Sequence, residues 1–198
     1  MDRNKNIFEV RHNNLRPQKG RVLISSPFLN EICFQRAVIL LVEHNAHGSM
    51  GFVLNKQTNL IVNSLFPELE DLPDIPIYLG GPVGTNHLFF MHLLGKRVPD
   101  GMEIGGGLCF DGNFEALKTY MLDHNQVEGK VKFFLGYSGW TENQLHDEII
   151  NDSWLVGVMK PDEMMMADDD DAFWKKSVRS LGSPYDTWTN YPKYPEMN

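Results

Sequence analysis

Apolar residues along the chain fall in short runs divided by turn residues, and their spacing predicts more strands than helices. The run Ala37–Val42 in "RAVILLVEHN" is six residues long and rich in strand formers. It is too short for a typical helix and reads as a central strand covered on both faces. After "AHGS", the stretch "MGFVLNK" reads as its hairpin partner. "IPIYLGGPVG", "NHLFFMHLLG", "KVKFFLGYS" and "WLVGVM" predict further strands, and "MEIGGGLCFDG" two short extended pieces around three glycines.

Helical spacing is confined to fewer places. In "NFEALKTYMLDHN", Phe114, Leu117, Tyr120 and Met121 fall on one face. "NLIVNSLFPEL" resembles a short helix closed by Pro67, and "TENQLHDEIIN" predicts another. Residues 170–181 place Trp174, Val178 and Leu181 on one stripe ahead of Gly182. Strands often follow one another directly, which predicts an α+β fold: a single domain with a mixed or mostly antiparallel sheet core flanked by about four helices. In this reading residues 21–182 form the domain. Residues 1–20 form a polar arm with an apolar cluster at Ile7, Phe8 and Val10. Residues 183–198 form a proline- and aromatic-rich tail, either mobile or docked through Tyr185, Trp188, Tyr191 and Tyr194.

Composition narrows function more than fold. A chain of 198 residues, 42% hydrophobic, can bury a substantial core. Its formal charge of −8 opposes direct nucleic-acid binding, because non-specific affinity comes from Lys and Arg neutralising phosphates. The densest basic groups are only Lys19–Arg21, Lys96–Arg97 and Lys175–Lys176. Cysteines are two, Cys33 and Cys109, each flanked by apolar residues as a small buried hydrophobe would be. No apolar run approaches the roughly 20 residues of a membrane span, and "MDRNKNIFEVRHNN" lacks a secretory core. These features predict a soluble cytoplasmic protein with reduced thiols and no membrane association.

The densest candidate chemistry is "GYSGWTENQLHDEIINDSWLVG", residues 136–157. Gly136-Tyr137-Ser138-Gly139 partly matches a nucleophile elbow, but Trp140 stands where the fifth position needs glycine. A capping box explains more residues. Thr141 would be the N-cap, Gln144 would reach back from N3, and Trp140 and Leu145 would form a hydrophobic staple. This stretch therefore reads as a junction of strand, helix and strand.

In "EHNAHG", Glu43, His44 and His47 offer part of a zinc site in a polar hairpin loop just past the central strand, yet no full ligand set is readable. His87 and His92, five apart, would fall on opposite faces of a strand. Gly80, Gly81 and Pro82 in "YLGGPVGTNH" match no nucleotide motif, and Pro82 removes an amide that a phosphate cradle would use. A tight turn is the simpler reading, although this loop is also the favoured place for a small-ligand pocket. "DEMMMADDDD" reads as an acidic entry to the last helix, with Asp169–Asp171 at its positive end and Lys175, Lys176 and Arg179 following. Met164–Met166 suit a core edge or an adaptable contact surface equally.

"GRVLISSPFLNEICFQRAVILLVEHNAHGSMGFVLNK", "LGGPV" and "FLGYSGWTENQLHDEIINDSWL" occur in that order and together resemble the AlgH/YqgE family over residues 20–160. Asn143 and His146 depart from the glycine and glutamate expected in its Gly-Gln-Leu-Glu element. The resemblance implies a bacterial α+β domain often labelled a transcriptional regulator, with no established catalytic residue or cofactor to carry over.

The expectation is therefore a binding or regulatory module acting through a protein partner or a small ligand, with no cofactor and no metal assigned. Candidate ligand contacts are Glu43, His44 and His47 in one loop, Gly80, Gly81 and Pro82 in a second, and Ser138 and Trp140 at the junction. The alternative is an enzyme of unassigned reaction, with a hydrolase as the leading example, using Ser138 or the Glu43-His44-His47 loop.

Overall fold

The computed structural model describes residues 11–125, 127–168 and 171–193. Expectations for Ile7, Phe8, Val10, Asp169, Asp170 and Tyr194 lie outside them.

The sheet opens with β1 (Val22–Ser25), β2 (Val38–Asn45) and β3 (Gly48–Val53), then β4 (Gln57–Ile61), β5 (Pro76–Leu79) and β6 (Val83–His92). A hairpin of β7 (Met102–Gly105) and β8 (Leu108–Phe110) precedes α1 (Phe114–His124), β9 (Val131–Thr141) and α2 (Gln144–Ile150). Then come β10 (Trp154–Gly157), α3 (Pro161–Met165) and α4 (Asp171–Ser180). The strand order is β10-β1-β2-β3-β9-β6-β8-β7, with β4 joined through β5 to β9. All pairings are antiparallel except that of β5 with β9. The predicted α+β class and mixed sheet are both present.

Alternation along β2 shows why the sheet is covered on both sides. Val38, Leu40 and Val42 enter one core with Trp174 and Val178 of α4. Ile39 and Leu41 enter another with Leu145 and Ile149 of α2. A third core joins Leu117 and Met121 of α1 to Ile77, Phe90 and Phe133. Burying a side chain of this size contributes about 1.5–3 kcal/mol. β2 therefore needs helices on both faces, as its unbroken apolar run implies.

Strand β9 organises the two halves. Residues 133–135 pair with β5 and also with β6, which must therefore lie on opposite edges of β9. The chain passes from one edge to the other through Gly80-Gly81-Pro82, across the face of β9. There a Cβ on Gly80 would lie 2.3 Å from Gly136 O, and one on Gly81 2.3 Å from Tyr137 O. Only glycine allows that approach. Beyond the crossing, β3 replaces β5 as the neighbour of β9.

Several local expectations change. "NLIVNSLFPEL" is not one helix: β4 runs to Ile61, and two 3-10 turns follow, with Pro67 opening the second. Helix α2 begins at Gln144, because Trp140 and Thr141 are still paired in β9. Only half of the capping box forms, with Thr141 N donating to Gln144 Oε1 at 3.0 Å. Asn143 precedes the helix with φ +61°, a left-handed conformation open to glycine and asparagine alike. Glu43 and His44 belong to β2, and the hairpin loop is only Ala46-His47. Cys33 and Cys109 are half-buried and not enclosed. Met164 and Met165 are core residues, whereas Met166 is exposed.

Both ends of the described chain dock. Trp188 is buried in a 3-10 turn over Tyr185–Asn190, and the Arg36 guanidinium joins Asp171 to Tyr191 O. The Asn13 carboxamide donates to Val156 O at 2.6 Å and accepts from Val156 N at 3.1 Å, covering the outer edge of β10. Among the described residues, no helix is long and apolar enough to cross a membrane.

Candidate functional site

Lys132 occupies a position where a charged residue is rare. "VKFFL" enters a strand covered on both faces, so alternation puts Phe133 in one core and turns Lys132 toward the opposite one with Phe134. Lys132 opposes Met91 on β6, and only 4% of it is exposed. A carbonyl and an aromatic ring stand beside its ammonium group. Nζ donates to Ala167 O, just beyond α3, and lies 3.5 Å from the centroid of the Tyr78 ring. The ring face and the carbonyl both favour the protonated form.

Desolvation outweighs them. Burial lowers the Lys132 pKa to about 7, against the opposing charge of Asp168. Near neutral pH the site therefore holds comparable shares of ammonium and free amine. The first can donate hydrogen bonds to an acceptor, and the second can act as a base or a nucleophile.

This amine borders a cleft of about 670 Å³, within the range of small-molecule sites. Ile75, Tyr78, Val127, Val131, Met165 and Met166 contribute to its lining. Gln57, Asp74, Asn125, Glu128, Lys130 and Asp168 add polar lining. No sequence motif singles out Lys132. Its signal was the apolar residues on both sides in "KVKFFL", which place a lysine inside a doubly covered strand.

None of Glu43, His44, His47, Gly80, Gly81, Pro82, Ser138 and Trp140 lines this cleft, whereas Met165 and Met166 of the methionine run do. Ser138 is fully buried, and its hydroxyl donates to Gly80 O at 3.1 Å. Gly80 and Gly81 are packed against β9, while Pro82 is exposed at the crossing. Trp140 is buried, and its indole N–H donates to Glu148 Oε2 at 2.8 Å. Trp154 donates to the same oxygen at 2.7 Å, and Gln144 Nε2 donates to Oε1 at 3.0 Å. Glu148 is thus the centre of the strand–helix–strand junction.

Glu43, His44 and His47 are exposed. Asn45 Nδ2 donates to Glu43 Oε1, His44 Nδ1 lies 2.7 Å from Ser49 Oγ, and His47 N donates to Asn45 Oδ1. His92 is buried away from them, between Leu94 N and Asp111 O. Among the described residues, no three His, Cys, Asp or Glu side chains stand close enough to hold a metal ion.

Comparison with known proteins places the chain. Residues 22–186 match the family model described as AlgH-like. A UPF0301 protein of Parabacteroides distasonis is 55% identical over 98% of both chains. Another, from Bacteroides thetaiotaomicron, is 40% identical over the full length of both. The solution structure of AlgH from Pseudomonas aeruginosa superposes with a TM-score of 0.67 at 29% identity, covering 88% of this chain and 94% of that one. The crystal structure of a Corynebacterium diphtheriae protein shares the fold with a TM-score of 0.74 at 22% identity, covering 92% and 95%. With the family model spanning most of the folded body and close relatives matched end to end, this chain belongs to the AlgH-like family.

Proposed function

We propose that this protein is a non-enzymatic binding module whose small-molecule site is the cleft beside Lys132. The observation that supports the reading most is a buried amine bordering a ligand-sized cleft of mixed apolar and charged lining, which includes the Tyr78 ring. A lysine kept inside a core is costly, and such groups concentrate at binding and catalytic sites. The enzyme alternative loses support at Ser138, whose hydroxyl is enclosed and bonded to a backbone carbonyl. The Gly80–Pro82 loop serves as a crossing and offers little room for a ligand.

Regulation is the use that fits a binding module. With a formal charge of −8, any effect on transcription runs through a protein partner and not through direct contact with nucleic acid. We place the protein in the cytoplasm, where its two half-buried thiols stay reduced.

The test is purification from native lysate under mild conditions, native mass spectrometry for a retained small molecule, and NMR titration with that molecule. The expected result is shifts at Tyr78, Val127 and Lys132 with Gly80–Asn86 unmoved. Shifts confined to Gly80–Asn86 or Glu43–His47 would overturn the assignment of the site.

A further inference from the structure

We propose that Lys132 captures small uncharged aldehydes or ketones covalently, as a reversible imine formed inside the cleft. This rests on the ligand-binding reading above and assigns its chemistry. Three features of the site carry it. The Lys132 side chain is 4% exposed and borders a hollow of about 670 Å³, so a guest seated in the hollow lies beside it. Apolar walls from Ile75, Val127, Val131 and Met165 favour a guest with a hydrocarbon body. The acceptor at Ala167 O and the face of Tyr78 hold Nζ in one place, which orients its lone pair once the proton is gone.

The charges around the cleft select among carbonyl compounds. Asp74, Glu128 and Asp168 stand against Lys130, and all four are exposed. Three carboxylates outnumber Lys130 and the part-protonated Lys132, which disfavours an anionic guest such as a 2-oxo acid. An uncharged carbonyl compound meets no such barrier.

The step is a condensation. The nitrogen lone pair forms a C–N bond to the carbonyl carbon, and the C=O π pair moves to oxygen. The oxygen takes up the two amine protons and leaves as water, giving a neutral imine with no net oxidation or reduction. Because burial lowers the pKa of this amine to about 7, the attacking form is abundant at neutral pH, whereas surface lysines are almost wholly protonated. Hydrolysis by returning water makes the capture reversible, so it amounts to binding without turnover.

The experiment uses the full chain at pH 7 with butanal or, separately, pyruvate, each with cyanoborohydride to reduce any imine to a stable secondary amine. Peptide mapping by mass spectrometry then reads labelling at each lysine. Lys132 should be alkylated by butanal ~10-fold or more faster than Lys130 or Lys176, and more slowly by pyruvate than by butanal. Lys132→Arg should lose this fast label. Equal rates at Lys132 and Lys130 would overturn the capture site, and faster labelling by pyruvate would overturn the uncharged class. A ligand that shifts the cleft resonances while Lys132 is labelled no faster than surface lysines would remove the imine and leave non-covalent binding standing. Absence of both signals removes both readings.

Discussion

Trp140 and Trp154 stand edge to face, with ring centroids 6.1 Å apart and planes at 84°, and their indole N–H groups converge on one oxygen of Glu148. The two tryptophans come from β9 and β10, which are not neighbours in the sheet. The carboxylate comes from α2 between them. A single acceptor thus ties together three elements that fold from residues 131–157.

Glu148→Ala should be strongly destabilising. It leaves two largely enclosed indole donors without an acceptor, a loss of about 2–4 kcal/mol if each unmet donor costs 1–2 kcal/mol. Glu148→Gln keeps an acceptor oxygen and should lose less. Chemical denaturation followed by tryptophan fluorescence measures both. A Glu148→Ala midpoint equal to that of the wild type would show that water satisfies the indoles.

The crossing over β9 predicts an unusual sensitivity to one methyl group. Gly81→Ala puts a Cβ 2.3 Å from the Tyr137 carbonyl, against backbone that cannot move without breaking the pairing of β3, β5 and β6 with β9. The expected cost exceeds about 3 kcal/mol. Gly107→Ala, with open space around its Cβ but φ +84°, should cost only about 1 kcal/mol. Thermal unfolding of the pair separates steric crowding from backbone preference.

Lys132 should make the protein more stable toward alkaline pH. Its proton is lost near pH 7 in the folded chain and near 10.5 in the unfolded one. Below pH 7 both states bind the proton, and folding desolvates a charge at a cost of about 5 kcal/mol, at 1.36 kcal/mol per pKa unit. Between about 7 and 10.5 the unfolded chain binds more protons than the folded one, so the penalty shrinks as pH rises. Lys132→Met should therefore raise stability at pH 6 by about 1–4 kcal/mol, with the advantage narrowing toward pH 10. Denaturation midpoints of both proteins across that range check the sign, and a variant less stable than the wild type at pH 6 would contradict it.

His92 works in the opposite part of the scale. Burial lowers its pKa, with the Asp111 carbonyl opposing. The folded chain therefore keeps this ring neutral at pH values where the unfolded chain has begun to protonate it. Its contribution is fully present above the unfolded value of about 6.5 and is lost as pH falls from there toward the folded pKa. His92→Asn should flatten that part of the stability profile, read by denaturation at pH 7 and pH 5.

The junction around Trp140 shows how far local pattern reaches. Apolar spacing located the strand, the helix and the second strand, but it set the helix start too early. Thr141 and Gln144 have the right residues for a capping box, and pairing of Trp140 and Thr141 with β3 holds them extended instead. The family departure at Asn143 is explained locally, since φ +61° admits asparagine where glycine is expected. Glu148 was invisible as the hub, because its partners lie 4, 6 and 8 residues away on three different elements.

By itself the amino-acid sequence determined the α+β class, most of the strands, the family and the formal charge of −8. All of these follow from short-range periodicity, composition and ordered motifs. Only the tertiary structure decided which side chains share a cleft. Burial of Lys132 depends on β6, β5 and α3 closing around one position of β9, and the cleft forms from residues up to 111 positions apart, Gln57 to Asp168. Ser138 and the Gly80–Pro82 loop look reactive in one dimension. In three, the Ser138 hydroxyl donates to Gly80 O and both glycines pack against β9 at the crossing.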